Sequence, residues 1–145
     1  TPGPTIDYRR IEAHIRWLAD EFDVREIVFD PAYAQPVMGP LTDDGFPTAT
    51  LRQGWVTQSP ALNVLERAIL NRKLRWASPV LRWCLENVVI HTDSAGNRTM
   101  HKGLSRDRID LAVCLWMAVS RAEAGEPQPS FYSTPQAQDL SWHMI

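Results

Sequence analysis

Cysteine, excess charge and long apolar runs are all scarce in this 145-residue sequence, and each shortage excludes something. Cys84 and Cys114 are the only cysteines. Two thiols so far apart make neither a disulfide framework nor a metal motif, so both are expected as buried free thiols of a reducing compartment. The formal net charge is only -2, from 15 Lys/Arg against 17 Asp/Glu. That balance excludes a chain that is strongly basic throughout. No apolar run approaches the roughly 20 residues that span a bilayer, and the N-terminus carries no signal-peptide pattern. A soluble, intracellular chain with no membrane partner is expected. The sequence also shows no G-x-x-x-x-G-K-[ST] phosphate loop, no helix-turn-helix and no internal repeat.

What is present is ordinary globular material, 44% hydrophobic and 22% charged, in an amount that suits one domain. The opening "TPGPT" reads as a linker, which suggests a piece cut from a longer protein. Charge is uneven along the chain. Residues 1–64 hold five Lys/Arg and nine Asp/Glu, whereas residues 65–110 hold nine and five. A basic middle of this kind either meets phosphate or is simply a solvated face.

Ile11, Ile15, Leu18 and Phe22 follow helical spacing, so residues 6–22 read as an amphipathic helix capped by Thr5 or Asp7. Val24–Phe29 reads as a strand buried on both faces. Tyr33, Val37 and Leu41 suggest a second helix that Pro40 should break or shorten, and "PTATLR" (47–52) a second strand. Ser59-Pro60 and Ser78-Pro79 both look like helix starts, the first followed by a buried stripe of Leu62, Leu65 and Ile69, the second by Leu81 and Leu85. Val88–His91 and Thr99–Lys102 flank the turn-rich "DSAGN" and read as a β-hairpin. Ser105 is placed as the cap of a last helix ending near Arg121, with a Pro-, Ser- and Gln-rich tail over 123–145. Strands alternating with helices argue an α/β fold, yet two strands and a hairpin make a thin sheet.

Two carboxylates stand at the ends of apolar stretches. Asp30 closes "REIVFD" ahead of Pro31, and Asp110 opens "IDLAVCLWMAV". Each has a structural explanation: Asp30 as a helix cap, Asp110 as a charge suited to a helix N-terminus. Asp110 is placed in the second turn of a helix apolar on all sides, where a carboxylate needs a partner or a metal. Magnesium takes one or two carboxylates together with phosphate oxygens, and two ions about 4 Å apart serve phosphodiester hydrolysis.

The segments "VREIVFDPAYAQ", "GFPTATLRQGW", "SPALNVLERAIL" and "SPVLRWCLENVVIHTDSAGNRTMHKGLSRDRIDLAVCLWMAV" occur in this order. Over roughly residues 5–122 they resemble the C-terminal nuclease domain of the large terminase subunits of tailed double-stranded DNA phages. The resemblance implies an RNase H-like α/β fold lacking its first strands, which accounts for the thin sheet. It implies a DNA endonuclease that cuts concatemeric viral DNA during genome packaging, using Mg²⁺ or Mn²⁺ in a two-metal site. Asp30 matches the second acidic ligand of such a site and Asp110 the third; the first would precede this chain. Lys102 matches a lysine before the last helix that contacts phosphate or the carboxylates, or is a solvated hairpin lysine.

Arg72, Lys73, Arg75, Arg98 and Arg106 are candidates for a DNA-facing surface, with solvated charge the ordinary reading. Gln53 and Asn87 match positions that order the site or satisfy backbone groups, Asn87 most simply as a C-cap. Trp76 stands where related sequences have histidine; Trp83 and Trp116 read as core. Implied partners are double-stranded DNA and, in the full-length protein, the portal and the small terminase subunit, with self-association covering an exposed sheet edge. The implied location is the host cytoplasm, transiently at the procapsid portal. The competing reading is a catalytically inactive fragment or prophage remnant that binds DNA or portal. A resolvase or integrase relative fits less well, because the hairpin leads directly into the "RID" helix.

Overall fold

A computed structural model describes residues 5–75 and 78–125. In chain order it contains α1 (Tyr8–Glu21), β1 (Ile27–Phe29), α2 (Gln35–Asp43), β2 (Thr48–Thr50) and α3 (Trp55–Leu70). Then follow α4 (Pro79–Glu86), β3 (Ile90–Thr92), β4 (Arg98–Met100) and α5 (Asp110–Gly125). β1 and β2 pair in parallel, Ile27 opposite Thr48 and Phe29 opposite Thr50, with α2 as the crossover. β3 and β4 form the expected antiparallel hairpin, Ile90 opposite Met100. This is the anticipated mixed α/β chain, and its main sheet has only two strands among the described residues. No helix among the described residues is long and apolar enough to cross a membrane.

Strand β1 explains its own composition. Side chains alternate across a strand. Val28 packs against a core built from Leu62 and Leu65 of α3, Cys84 of α4 and Ile109–Met117 around α5. Ile27 and Phe29 point the other way, onto Val37, Met38 and Leu41 of α2. Three consecutive apolar residues therefore serve two separate cores, and β1 is the partition between them.

Local chemistry sets most boundaries. Asp7 caps α1 through Arg9 N at 3.2 Å, and Ser78 caps α4 through Leu81 N at 3.2 Å. In the hairpin turn the Asp93 carboxylate accepts from the Ala95 and Asn97 backbone amides and from Asn97 Nδ2. Gly96 supplies the left-handed φ of 82° that the turn requires.

Four expectations are corrected. Pro40 lies inside a continuous α2, near its end, where it removes a single intrahelical hydrogen bond. Tyr33 is not on the buried stripe of α2. The chain turns there with φ 64°, which leaves the ring 93% exposed. Ser59-Pro60 does not start α3, which begins four residues earlier at Trp55 behind Gly54; the Ser59 hydroxyl instead accepts from Arg98 N at 3.1 Å, tying α3 to β4. Ser105 does not cap α5. Its hydroxyl donates to the His101 carbonyl at 2.8 Å and accepts from Val89 N at 3.2 Å. Helix α5 continues past Arg121 to Gly125. The tail from 126 on, like Trp76, lies outside the described residues.

Candidate active site

The two aspartates sit at the ends of elements that pack against each other. Asp30 follows the last residue of β1, and its Oδ1 accepts from Ala32 N at 2.9 Å. That is an Asx turn across Pro31; α2 itself starts behind Ala34 with no side-chain cap, so Asp30 is not a helix cap. Asp110 is the first residue of α5, not a residue of its second turn. Its carboxylate is 63% exposed. At this position it meets the positive end of the helix dipole.

Strand β1 packs on α5. Glu26, just before β1, is gripped by Arg121, near the end of α5, at 2.6 and 2.7 Å. An open groove beside this contact is lined by Val24, Glu26 and Val28 on one side and Ala118, Arg121 and Ala122 on the other. Two residues on, Val28 enters the core that also takes Ala112, Val113, Trp116 and Met117 of α5.

Lys102 comes to Asp110 from the loop after the hairpin, Nζ to Oδ1 at 3.4 Å. Both side chains are more than half exposed, so this contact adds little to stability. A shallow depression of about 320 Å³ lies here, lined by Lys102, Ser105, Asp107, Arg108, Ile109 and Asp110.

Carboxylate oxygens are the donors that hard divalent cations prefer, and Mg²⁺ commonly takes only one or two from a protein. Asp30 and Asp110 each use Oδ1 in a hydrogen bond, while no bond to either Oδ2 is made among the described residues. The donor chemistry therefore fits such an ion. No group of three or more His, Cys, Asp or Glu able to hold a metal occurs among the described residues.

The remaining candidates separate. Arg98 turns back onto α3, where it bonds to Asn63 and pairs with Glu66 at 2.8 Å. Its guanidinium is thus engaged within the fold. Arg72, Lys73, Arg75 and Arg106 are exposed, Arg72 on a turn with φ 54°. Gln53 is exposed. Asn87 is the C-cap of α4, and its Nδ2 is buried without a partner among the described residues. Trp116 is core at 0% exposure, whereas Trp83 is 41% exposed and is not.

Helix α5 is not buried on every side. Ala112, Val113, Trp116 and Met117 face the core, while Leu111, Cys114 and Ala118 are exposed one turn apart on another face. Cys114 is therefore exposed and only Cys84 is buried. The surroundings still push the Cys114 thiol pKa up, first through partial burial and then through the charge of Asp110 one turn earlier. Sequence reasoning missed Gln58. It is buried on α3, and its Oε1 accepts from Met100 N at 3.0 Å, holding the hairpin to the core. A lone glutamine in an apolar helix was the available signal.

The fold has known relatives. The family described as "Terminase large subunit, endonuclease domain" matches residues 2–126. The terminase large subunit of Enterobacteria phage HK97 is 33% identical over 125 residues, covering 84% of this chain and 25% of that protein. That of Lactococcus phage SK1 is 28% identical over 108 residues, covering 71% and 20%. The crystal structure of the HK97 large terminase superposes with a TM-score of 0.75 at 32% identity, over 83% of this chain and 26% of that one. The chain thus spans about a fifth to a quarter of the length of these relatives. Its fold is the RNase H-like α/β class expected from the motifs, and the chain belongs to the endonuclease-domain family of phage terminase large subunits.

Proposed function

We propose that this chain forms part of a metal-dependent DNA endonuclease that cuts concatemeric viral DNA during packaging, with Asp30 and Asp110 as two of its metal ligands. The observation that supports the reading is that Asp30 ends β1 and Asp110 opens α5, two elements in contact, each with an Oδ2 left unbonded among the described residues. Mg²⁺ or Mn²⁺, when bound, lowers the pKa of water and stabilises charge on the phosphate oxygens. The role of the chain is to supply hard oxygens from two rigid elements. Lys102, already beside Asp110, offsets carboxylate charge or meets a phosphate oxygen. Arg75 and Arg106, exposed in the basic middle, attract the DNA backbone. The portal and the small terminase subunit are partners of the longer protein in this reading.

The deciding experiment is calorimetric titration of Mn²⁺ into this chain and into an N-terminally extended form, each against its Asp30→Asn/Asp110→Asn double variant. Binding by the extended form that vanishes in its double variant is expected. In a full-length protein each single substitution should lower cleavage by more than about 100-fold, the upper range for loss of a supporting group. Full cleavage by both variants sinks the assignment.

A second reading is a DNA- or portal-holding module without catalysis. The exposed Arg72, Lys73, Arg75 and Arg106 favour it, because phosphate contact needs only them. Steeply salt-dependent DNA binding with no metal-dependent cleavage by the extended form would establish it.

A further inference from the structure

The loop that carries Lys102 is organised by its neighbour His101. The His101 carbonyl accepts from Leu104 N at 3.1 Å, from Ser105 N at 3.0 Å and from the Ser105 hydroxyl at 2.8 Å. The imidazole adds a contact of a different kind: Nδ1 accepts from Leu104 N at 3.1 Å. This is a side-chain cap on a single turn, the role that Asn or Asp more often takes. The ring is held from other sides as well. Its centroid lies 5.6 Å from that of His91 on β3, which in turn meets the edge of Trp55 on α3 at 5.4 Å. Gly103 sits so close that a Cβ there would come 3.3 Å from Cε1 of the ring. His101 N also extends the hairpin ladder, donating to the Val89 carbonyl at 2.9 Å. One end of the turn is therefore fixed to the hairpin, and Ser105 fixes the other through Val89 N.

We propose that His101 is a positioning residue. Its imidazole, as the Nε2–H tautomer with Nδ1 as acceptor, closes the 101–105 turn and so sets Lys102 against Asp110. A neutral imidazole has one donor and one acceptor nitrogen. Nδ1 receives a backbone N–H here, so the ring proton belongs on Nε2. The same assignment gives Nδ1 to the fold, leaving the Nε2–H free to donate toward a phosphate oxygen. The proposal rests on the nuclease reading only for what Lys102 and Asp110 do; the turn itself does not depend on it.

The test uses this chain without metal or DNA, so its outcome is separate from that of the cleavage assay. Nitrogen-15 NMR of the histidine rings at neutral to mildly alkaline pH should show His101 with Nδ1 unprotonated and Nε2 protonated. His101→Asn keeps an acceptor close to the position of Nδ1; His101→Ala has none. The Leu104 amide keeps its bond to the His101 carbonyl in His101→Ala, so its hydrogen exchange should accelerate by about twofold to fivefold, the loss of one arm of a shared bond. It should stay near the native rate in His101→Asn. The carboxyl carbon shift of Asp110 should move in the alanine variant and return in the asparagine one. An Nδ1–H ring in the unaltered chain overturns the proposal even if His101→Ala fails to fold. So does an unchanged Leu104 exchange rate in a folded His101→Ala.

Discussion

Arg121 grips Glu26 with two hydrogen bonds, Nε to Oε2 at 2.7 Å and Nη2 to Oε1 at 2.6 Å, across 95 residues of sequence. This forked pair joins the last turns of α5 to the entry of β1, the two elements whose other ends carry Asp110 and Asp30. Hydrogen bonding to Arg121 is the main cause that holds the Glu26 carboxyl below the ordinary glutamate range. A group with a depressed folded-state pKa stabilises above its unfolded pKa and loses that contribution as pH falls through the folded value. Glu26→Gln should therefore cost roughly 0.5–1 kcal/mol at pH 7, discounted for partial exposure. The difference should shrink below about pH 4. Urea unfolding of both proteins at pH 7 and at pH 3 checks this; equal stability at pH 7 would show the pair to be incidental.

The arginines should separate in DNA binding. Arg98 is committed to Glu66 and Asn63, whereas Arg106 is exposed. On this geometry Arg106→Ala lowers the salt slope of DNA affinity by about 1, the signature of one lost phosphate contact. Arg98→Ala leaves the slope unchanged. Fluorescence anisotropy across a salt series reads both, and a reversed pattern would place Arg98 on the DNA.

Trp116 is fully buried, and its indole Nε1 has no hydrogen-bond partner among the described residues. Replacement by Phe removes an unsatisfied donor along with some volume, so the two effects oppose each other. Trp116→Ala should cost about 3–5 kcal/mol, and Trp116→Phe less than half of that. Denaturant midpoints measure both. A phenylalanine variant as unstable as the alanine one would mean that the indole nitrogen is satisfied in solution.

The two thiols should differ in reactivity. Cys114 is exposed and Cys84 is buried. An aromatic disulfide reagent should modify one thiol in the native state and both after unfolding. Because its surroundings raise the Cys114 pKa, the native reaction should be slow at neutral pH and keep accelerating above about pH 8.5, where an ordinary thiol begins to level off. Cys114→Ser should abolish the native reaction.

Much of the fold was legible in the sequence because its signals are local. The period of α1, the Ser78 cap, the "DSAGN" turn and the apolar burst of β1 each act within a few residues. Family motifs in order were legible for the same reason. What could not be read was set by contacts distant in the chain. Ser59-Pro60 carries a helix-start signal, yet it lies inside α3, where the Ser59 hydroxyl serves β4 instead. Ser105 likewise looks like a cap and is spent on His101 and Val89. Apolar α5 reads as buried all round, but among the described residues Leu111, Cys114 and Ala118 are exposed, and the buried face is the one toward α3, α4 and β1. The aspartates could be named from the sequence as residues at element ends. That their elements pack together could not, because it follows from Glu26 meeting Arg121 and from Val28 entering the core, and such pairings depend on how whole elements pack.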